Sequence, residues 1–358
     1  MVLGAAPGTR RALWVVPVSD LGGVARHVLD VAGHGLPGWD VVFLCPPGPL
    51  ADRLREQDVE VVVAPFGPEH GLRASVRTMR SVLRRLRPAV VHAHLSYADV
   101  VAALVKPRGS VLVTTEHGIA ADDAVYHGTT GRARVMALVH RARLRRVDVV
   151  LAVSRATAQA MKSKWGAGRV SVVRNGIDRP ATDPAPGSAP ASGLRLLSLA
   201  RLAPEKRLPD LIDAFALVAA DHADARLTIA GVGELEGALR RQSAALGLSD
   251  RIDLPGFLDP AKAMADHDVV AMLSVWENCS YTLLDAAAHG LGVVASAVGG
   301  NPEILPERCL VDADDPRAVA AALVTQARDL AARPGLGAWP DVAEMCTAIA
   351  ASYSGPAR

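Results

Sequence analysis

The feature that most limits how this chain can fold is an alternation of short β-branched runs with longer helix-patterned stretches, played out twice. "ALWVVPV", "WDVVFLC", "VEVVVAP", "AVVHAH", "SVLVTTEHG", "VDVVLAVS" and "VSVVRNG" read as strands. Segments with helical patterning, such as "GVARHVLDVAGHG" and "RASVRTMRSVLRRLRP", lie between several of them. Near-continuous valine runs suit strands buried on both faces, which belong to parallel sheets covered by helices on each side. The rhythm stops at Asp178–Gly193, "DRPATDPAPGSAPASG", a Pro/Ala/Ser/Gly stretch that reads as a linker. It restarts with "LRLLSLAR", "ARLTIAGVG", "RIDLPGF", "DVVAMLSVW", "GVVASAVGG" and "RCLVDA". The expected fold is α/β, with one doubly wound domain over residues 1–178, a linker over 179–193 and a second domain over 194–358. Ligands of such folds sit beyond the carboxyl ends of the strands, here facing a cleft between the halves.

With 358 residues, half of them hydrophobic, the chain is long enough for two cores of ordinary size. A net charge of +2 and only 4% aromatic residues argue against a nucleic-acid partner. Cys45, Cys279, Cys309 and Cys346 lie far apart with no CxxC pair, which fits a reducing compartment. The opening "MVLGAAPGTRRALWVVPVSD" reads as a first strand and not as a signal peptide. No run reaches the ~18 apolar residues of a membrane span. A cytoplasmic protein is the expectation.

One stretch asks for more than packing. In "WENCSYTLLDAAAHG", Trp276–Gly290, Leu283, Leu284, Ala287 and Ala288 make an apolar helix face, Ser280 suits the N-cap and Gly290 the stop. Glu277 before the helix and Asp285 within it serve neither purpose.

Taken in order and spacing, the motifs "LGGVARHV", "VVHAH", "TTEHG", "RNGID", "ARLAPEKRLPDLIDAF", "IAGVGELEGAL", "WENCSYTLLDAAAHG", "VVASAVGGNPEIL" and "AWPDVAEMCTAIAASY" carry a resemblance that runs nearly end to end. The chain resembles the retaining, nucleotide-sugar-dependent glycosyltransferases of family 4, the group 1 glycosyl transferases. The resemblance implies the GT-B fold, two Rossmann-like domains facing a central cleft, with the last helix packing back on the first domain. It also implies transfer of a hexose from a nucleoside-diphosphate sugar to an acceptor hydroxyl on a glycan, a lipid-linked glycan or a small metabolite. No cofactor is implied beyond the donor substrate, and no metal.

Such a transfer must stabilise a departing diphosphate, which calls for cations and backbone N–H donors. Arg201 and Lys206 follow the strand "LRLLSLA", and the resemblance assigns them to the diphosphate. Gly22 and Gly23 lie between the first strand and a helix, where glycine lets the backbone approach an anion; a plain tight turn explains them as well. Gly299 and Gly300 repeat the device before a helix near Pro302. By resemblance Gly300 and Asn301 approach the donor and Glu303 opens the helix, although capping alone accounts for Glu303. Glu277 is assigned to the sugar hydroxyls and Asp285 to the nucleotide ribose, whose vicinal hydroxyls a carboxylate can accept. The second acid of the family is usually Glu, and its usual aromatic and glycine are replaced here by "NCSY". Ser280, Tyr281 and Thr282 fall in the same donor-binding stretch. His117, in "TTEHG", is placed beside the donor sugar as a hydrogen-bonding group and not as a general base.

Other signals carry less. "GVGELEG" at Gly231 lacks the third-glycine spacing of a dinucleotide fingerprint, so a dinucleotide oxidoreductase rests on it alone. His92 and His94 share a strand face with no third ligand nearby in sequence. Asp312 in "DAD" reads as a loop before a helix. Two basic stretches, Arg73, Arg77, Arg80, Arg84, Arg85 and Arg87, then Arg132, Arg134, Arg141, Arg143, Arg145 and Arg146, suit either an anionic membrane surface or a solvated face. The alternative to an enzyme is a catalytically weak relative that binds a sugar nucleotide or glycan and acts through a partner.

Overall fold

The computed structural model describes residues 10–119, 130–179 and 194–354, with the side chains of 130–134 left out. The linker expected over 179–193 thus lies outside the described residues except for Arg179. The chain forms two compact units, one up to Gly176 together with Pro340 onward, the other Ile177–Trp339.

In the first unit, β1 (Arg10–Val15), β2 (Trp39–Cys45), β3 (Val61–Val63), β4 (Val90–His94), β5 (Val111–Glu116), β6 (Val149–Ala152) and β7 (Ser171–Val172) make one sheet. Its order is β3-β2-β1-β4-β5-β6-β7 and every pairing is parallel. The helices are α1 (Gly23–His34), α2 (Pro49–Glu56), α3 (Gly71–Leu86), α4 (Leu95–Val105), α5 (Thr130–Leu144) and α6 (Arg155–Trp165). Side chains alternate along a strand, so β1 feeds two cores. Ala12 and Trp14 pack with Val28 and Val31 of α1 and Leu50 and Leu54 of α2, whereas Leu13 and Val15 pack with Met79 of α3 and Val101 of α4.

The second unit repeats the plan with β8 (Arg195–Leu199), β9 (Arg226–Ala230), β10 (Ile252–Gly256), β11 (Val269–Met272), β12 (Gly292–Ser296) and β13 (Leu310–Val311). The order is β10-β9-β8-β11-β12-β13, again parallel. Its helices are α7 (Leu208–Asp221), α8 (Glu236–Ala245), α9 (Pro260–Ala265), α10 (Tyr281–Ala288), α11 (Asn301–Ile304) and α12 (Pro316–Arg328). Leu196 faces α7 and α12, and its neighbour Leu197 faces α9 and α10. Both sheets reverse direction between their first and fourth strands. That switch point, at β1/β4 and again at β8/β11, is where open α/β sheets bind ligands.

The second unit ends at Trp339. The last helix, α13 (Val342–Ser352), belongs to the first unit. Its apolar face, Met345, Cys346 and Ile349, completes the core around Trp14 and α1. Polar contacts then lock it: Trp14 Nε1 donates to Tyr353 Oη at 2.7 Å, and Tyr353 Oη meets His92 Nδ1 at 2.7 Å. His92 Nε2 reaches Thr115 Oγ1 at 2.7 Å. Tyr353 Oη accepts from Trp14 and keeps its own proton to donate, which suits Nδ1 as acceptor and Nε2 as the protonated nitrogen of His92.

Candidate active site

The second unit gathers its site around the β8/β11 switch point. After β8 the chain passes Arg201 and a short 3-10 turn, Pro204–Lys206, before α7 begins. After β11 it reaches Glu277. Lys206 Nζ donates to Glu277 Oε1 at 2.6 Å, and both side chains are mostly buried. Arg201 stands out into solvent, 70% exposed, and pairs with Glu205. The two loops are also tied through the backbone, since Val275 N–H donates to the Glu205 carbonyl at 2.8 Å.

The loop after β12 closes onto the same acid. Gly300 N–H donates to the Glu277 carbonyl at 2.9 Å. Gly299 has φ +53, and a Cβ there would lie 1.8 Å from the Glu277 carbonyl oxygen. Only glycine fits that approach. Asn301 is fully buried; its amide donates to the Ser296 carbonyl at 3.0 Å. Its side chain therefore braces the loop and turns away from solvent. α11 starts at Asn301 with Glu303 in its first turn.

Helix α10 has the N-cap expected of it: Ser280 Oγ accepts from Leu283 N–H at 3.4 Å. Tyr281, Leu283, Leu284, Ala286 and Ala287 are buried, while Thr282 and Asp285, three apart, share the half-exposed side. The loops beyond β8 and β9 also approach closely. Gly231 has φ +152, and a Cβ on it would sit 1.9 Å from the Ala200 carbonyl oxygen. That contact explains the first glycine of "GVGELEG" without a dinucleotide. Asp312 accepts from Asp314 N–H at 2.9 Å and Asp315 caps α12, as a loop and helix start require.

In the first unit, Gly22 caps α1 with extended backbone, and the helix opens with no side-chain cap and no acid in its first turn. A Cβ at Gly22 would meet nothing within 4 Å, so the chain's own packing does not demand glycine there. Gly23 is the first residue of α1. An opening of ≈ 170 Å³ lies beyond β1–β3, with Ser19, Asp20, Glu69 and His70 in its lining.

His117 follows β5 and is half-buried, and its Nε2 lies 3.1 Å from Nδ1 of His94. His94 in turn is tilted against Trp14, ring centroids 4.4 Å apart, and His27 of α1 stacks on that indole at 5.7 Å. No third ligand is near His92 and His94 in sequence, but the fold brings His27 and His117 to them from α1 and from the end of β5. Burial depresses the His27 pKa to about 4, with the Asn175 side chain partly offsetting it. His92, His94 and His117 are held well below the ordinary imidazole value by burial and by one another. All four rings are neutral at pH 7.

Beside His117, Glu116 is completely buried. Its Oε1 accepts Gly118 N–H at 3.2 Å and its Oε2 accepts Arg143 Nη2 at 3.1 Å. Burial raises its carboxyl to about 7 against the pull of the Gly118, Ser96 and His117 donors. Arg143 also pairs with buried Asp99, donates to His140 Nδ1 at 2.9 Å and lies over the Trp165 ring at 5.0 Å. This overturns one part of the basic-surface reading. Arg143 is an interior cation held between two acids, whereas Arg141, Arg145 and Arg146 are exposed. The Arg132 and Arg134 side chains lie outside the described residues. On α3 the amphipathic reading fits: Arg73, Arg77, Arg80, Arg84, Arg85 and Arg87 are exposed, with Met79, Val82 and Leu83 buried beneath.

His27, Asp99 and Glu116 were not singled out by sequence. Arg143 was read as an outward cation like the five other arginines of its stretch, because no periodicity distinguishes an inward cation from an outward one. A polar interruption on the strand "VVHAH" was the visible signal for the histidine group, but its partners come from elements 67 and 23 positions from His94.

The four cysteines are free thiols. No described helix is long and apolar enough to cross a membrane.

Comparison with known proteins matches this architecture. Residues 21–179 match the family described as Glycosyltransferase Family 4, and residues 193–329 match Glycosyl transferases group 1. The glycogen synthase of Mycobacterium tuberculosis is 30% identical over 329 residues, 80% of this chain and 77% of that protein. A glycosyltransferase of Escherichia coli named for colanic acid biosynthesis, WcaL, is 31% identical over 256 residues; the match spans 66% of this chain and 61% of that relative's length. The crystal structure of Anabaena HepE in complex with UDP and glucose superposes with a TM-score of 0.75 at 21% identity, covering 96% of this chain and 95% of that one. Sucrose-phosphate synthase from Thermosynechococcus elongatus gives 0.72 at 20% identity, covering 95% and 94%. The chain belongs to the group 1 glycosyltransferases of family 4 and has the GT-B fold.

Proposed function

We propose that this protein is a retaining, metal-independent hexosyltransferase that uses a nucleoside-diphosphate sugar. The observation that carries the reading is the Lys206–Glu277 pair at the carboxyl ends of β8 and β11, the switch point of the second sheet. An ammonium and a carboxylate held side by side suit a ligand that is anionic at one end and rich in hydroxyls at the other. Lys206 and exposed Arg201 face the charge that develops on the departing diphosphate, and Glu277 accepts from sugar hydroxyls. Donors aimed at developing charge lower the barrier more than they tighten ground-state binding. Asp285 takes the ribose from the half-exposed side of α10, with Ser280, Tyr281 and Thr282 setting that helix's entry. Gly300 and Asn301 hold the neighbouring loop against Glu277.

His117 serves as a hydrogen-bonding group at the donor sugar, its neutral ring fitting a donor or acceptor role better than an ionic one. The uncapped start of α1 at Gly22 and Gly23 offers backbone N–H groups to a phosphate, and the free space at Gly22 leaves room for it. The acceptor hydroxyl attacks from the face the diphosphate leaves, and the freed phosphate oxygen takes its proton. The polar opening with Ser19, Asp20, Glu69 and His70 is a place for a hydroxyl-rich acceptor: a glycan, a lipid-linked glycan or a small metabolite. The basic outer face of α3 supports a lipid-linked one, with the protein peripheral on an anionic cytoplasmic leaflet. Free thiols fit that compartment.

The deciding experiment is a thermal-shift and donor-hydrolysis screen over UDP-, GDP-, ADP- and TDP-sugars in excess EDTA. One donor class should stabilise the protein and be hydrolysed slowly without acceptor. Stabilisation without any turnover, with or without acceptors, would leave a binding relative, and no shift with any nucleotide sugar removes the reading. Activity lost in EDTA and restored by magnesium would overturn metal independence.

A further inference from the structure

We propose that His27, His94 and His117 form a three-imidazole seat for a divalent late transition-metal ion, zinc being the natural occupant. One nitrogen from each ring lies within 4.8 Å of the others. His94 Nδ1 and His117 Nε2 are already 3.1 Å apart, against about 3.3 Å for two ligands each 2.0–2.1 Å from a tetrahedral ion. Three separate elements supply the rings, α1, β4 and the segment after β5, so the set is built by the fold and not by a flexible loop.

His27 has a nitrogen to spare. Neither of its ring nitrogens makes a hydrogen bond of good geometry, although the Asn175 side chain lies near enough to raise its pKa. A buried imidazole in that state favours a ligand that can take a lone pair. Trp14 orients two of the rings, His27 by stacking and His94 by tilted contact. Neutral imidazole is the ligand form, and a set of three nitrogens without a thiolate suits zinc, cobalt, nickel or copper while leaving a fourth position open. Proton balance is simple: the hydrogen shared between His94 and His117 moves to a ring's outer nitrogen as the ion takes its place, and all three rings stay neutral.

An ion that holds His117 Nε2 fixes that ring. On the functional reading above, from which this part follows, the ring is then withdrawn from the donor sugar and the ion inhibits transfer. Binding itself does not depend on that reading.

Tag-free, EDTA-stripped protein should retain one zinc per chain after gel filtration, measured by elemental analysis, and should give the visible absorption of four-coordinate cobalt when cobalt is added. His27→Gln and His94→Gln, made separately, should each weaken binding at least about tenfold. Thermal unfolding shows which variants fold, and either one suffices. No retained zinc, or folded variants that bind as the wild type does, would overturn the site. Zinc should also inhibit donor hydrolysis, reversibly by EDTA. Stoichiometric zinc without inhibition keeps the site and removes His117 from the donor; full activity with no zinc bound ends the site and leaves the functional reading standing.

Discussion

Lys206 and Glu277, 71 positions apart in sequence, meet at 2.6 Å across the switch point of the second sheet. Each needs the other before any ligand arrives, because a mostly buried ammonium and carboxylate are costly alone. A double-mutant cycle should therefore show coupling. Lys206→Ala should lose at least ~2 kcal/mol of transition-state stabilisation, and Glu277→Gln a similar amount, with the double variant losing clearly less than the sum. Steady-state kinetics with the donor found by the screen measures this. Additive losses would mean that the pair acts as two independent groups.

Asp285 is one methylene shorter than the family's usual Glu. If α10 is placed to suit the shorter acid, Asp285→Glu should crowd the ribose and raise the donor KM with kcat little changed. A lower KM in the variant would mean that Asp285 is a weakened contact. Unchanged KM with both Glu and Ala removes the position from the site.

Gly299→Ala should damage the site from a distance. Its Cβ would need the space of the Glu277 carbonyl, and its φ is positive. The loop must move, so we expect a stability loss of roughly 1–3 kcal/mol and a fall in kcat larger than global destabilisation explains. Urea denaturation alongside kinetics separates the two. Wild-type values in both would show the close approach to be slack.

The arginines of the first unit should divide sharply. Arg143→Met strands Asp99 and Glu116 as unpaired buried acids and should cost about 3–5 kcal/mol of stability. Replacing Arg77, Arg80, Arg84 and Arg85 together should leave stability within about 1 kcal/mol yet abolish sedimentation with anionic vesicles at low salt. If the wild type does not pellet with such vesicles, α3 is a solvated face and a soluble acceptor becomes the reading.

Acid should unfold the first unit early. His27 titrates at about 4 when folded and near 6.5 when unfolded, so between those values only the unfolded chain takes up the proton. Its contribution is complete above pH 6.5 and is lost as pH falls toward 4, roughly 3 kcal/mol in all. His92, His94 and His117 shift in the same direction. Glu116 acts oppositely: raised from 4.5 to about 7, its contribution is present in acid and fades as pH rises through 7. Four imidazoles outweigh one carboxyl. In EDTA, Tm should fall steeply from pH 6.5 to 4.5, and less steeply in His27→Gln.

The amino-acid pattern by itself determined the two sheets. Valine runs bounded by glycine and helical stretches leave a buried parallel strand few alternatives, and each such run expected from the sequence is a strand in the structure. Local chemistry determined the Ser280 cap and the loop reading of Asp312 for the same reason, since the partners lie within three residues. Tertiary structure alone decided the rest. It tied Tyr353 to Trp14 and His92, turned Arg143 inward while its neighbours stayed outside, joined Lys206 to Glu277, and gathered His27, His94 and His117. Each of these is a contact between residues far apart in the chain. Which buried charge finds a partner depends on desolvation and distance, and neither quantity exists until the strands are ordered side by side.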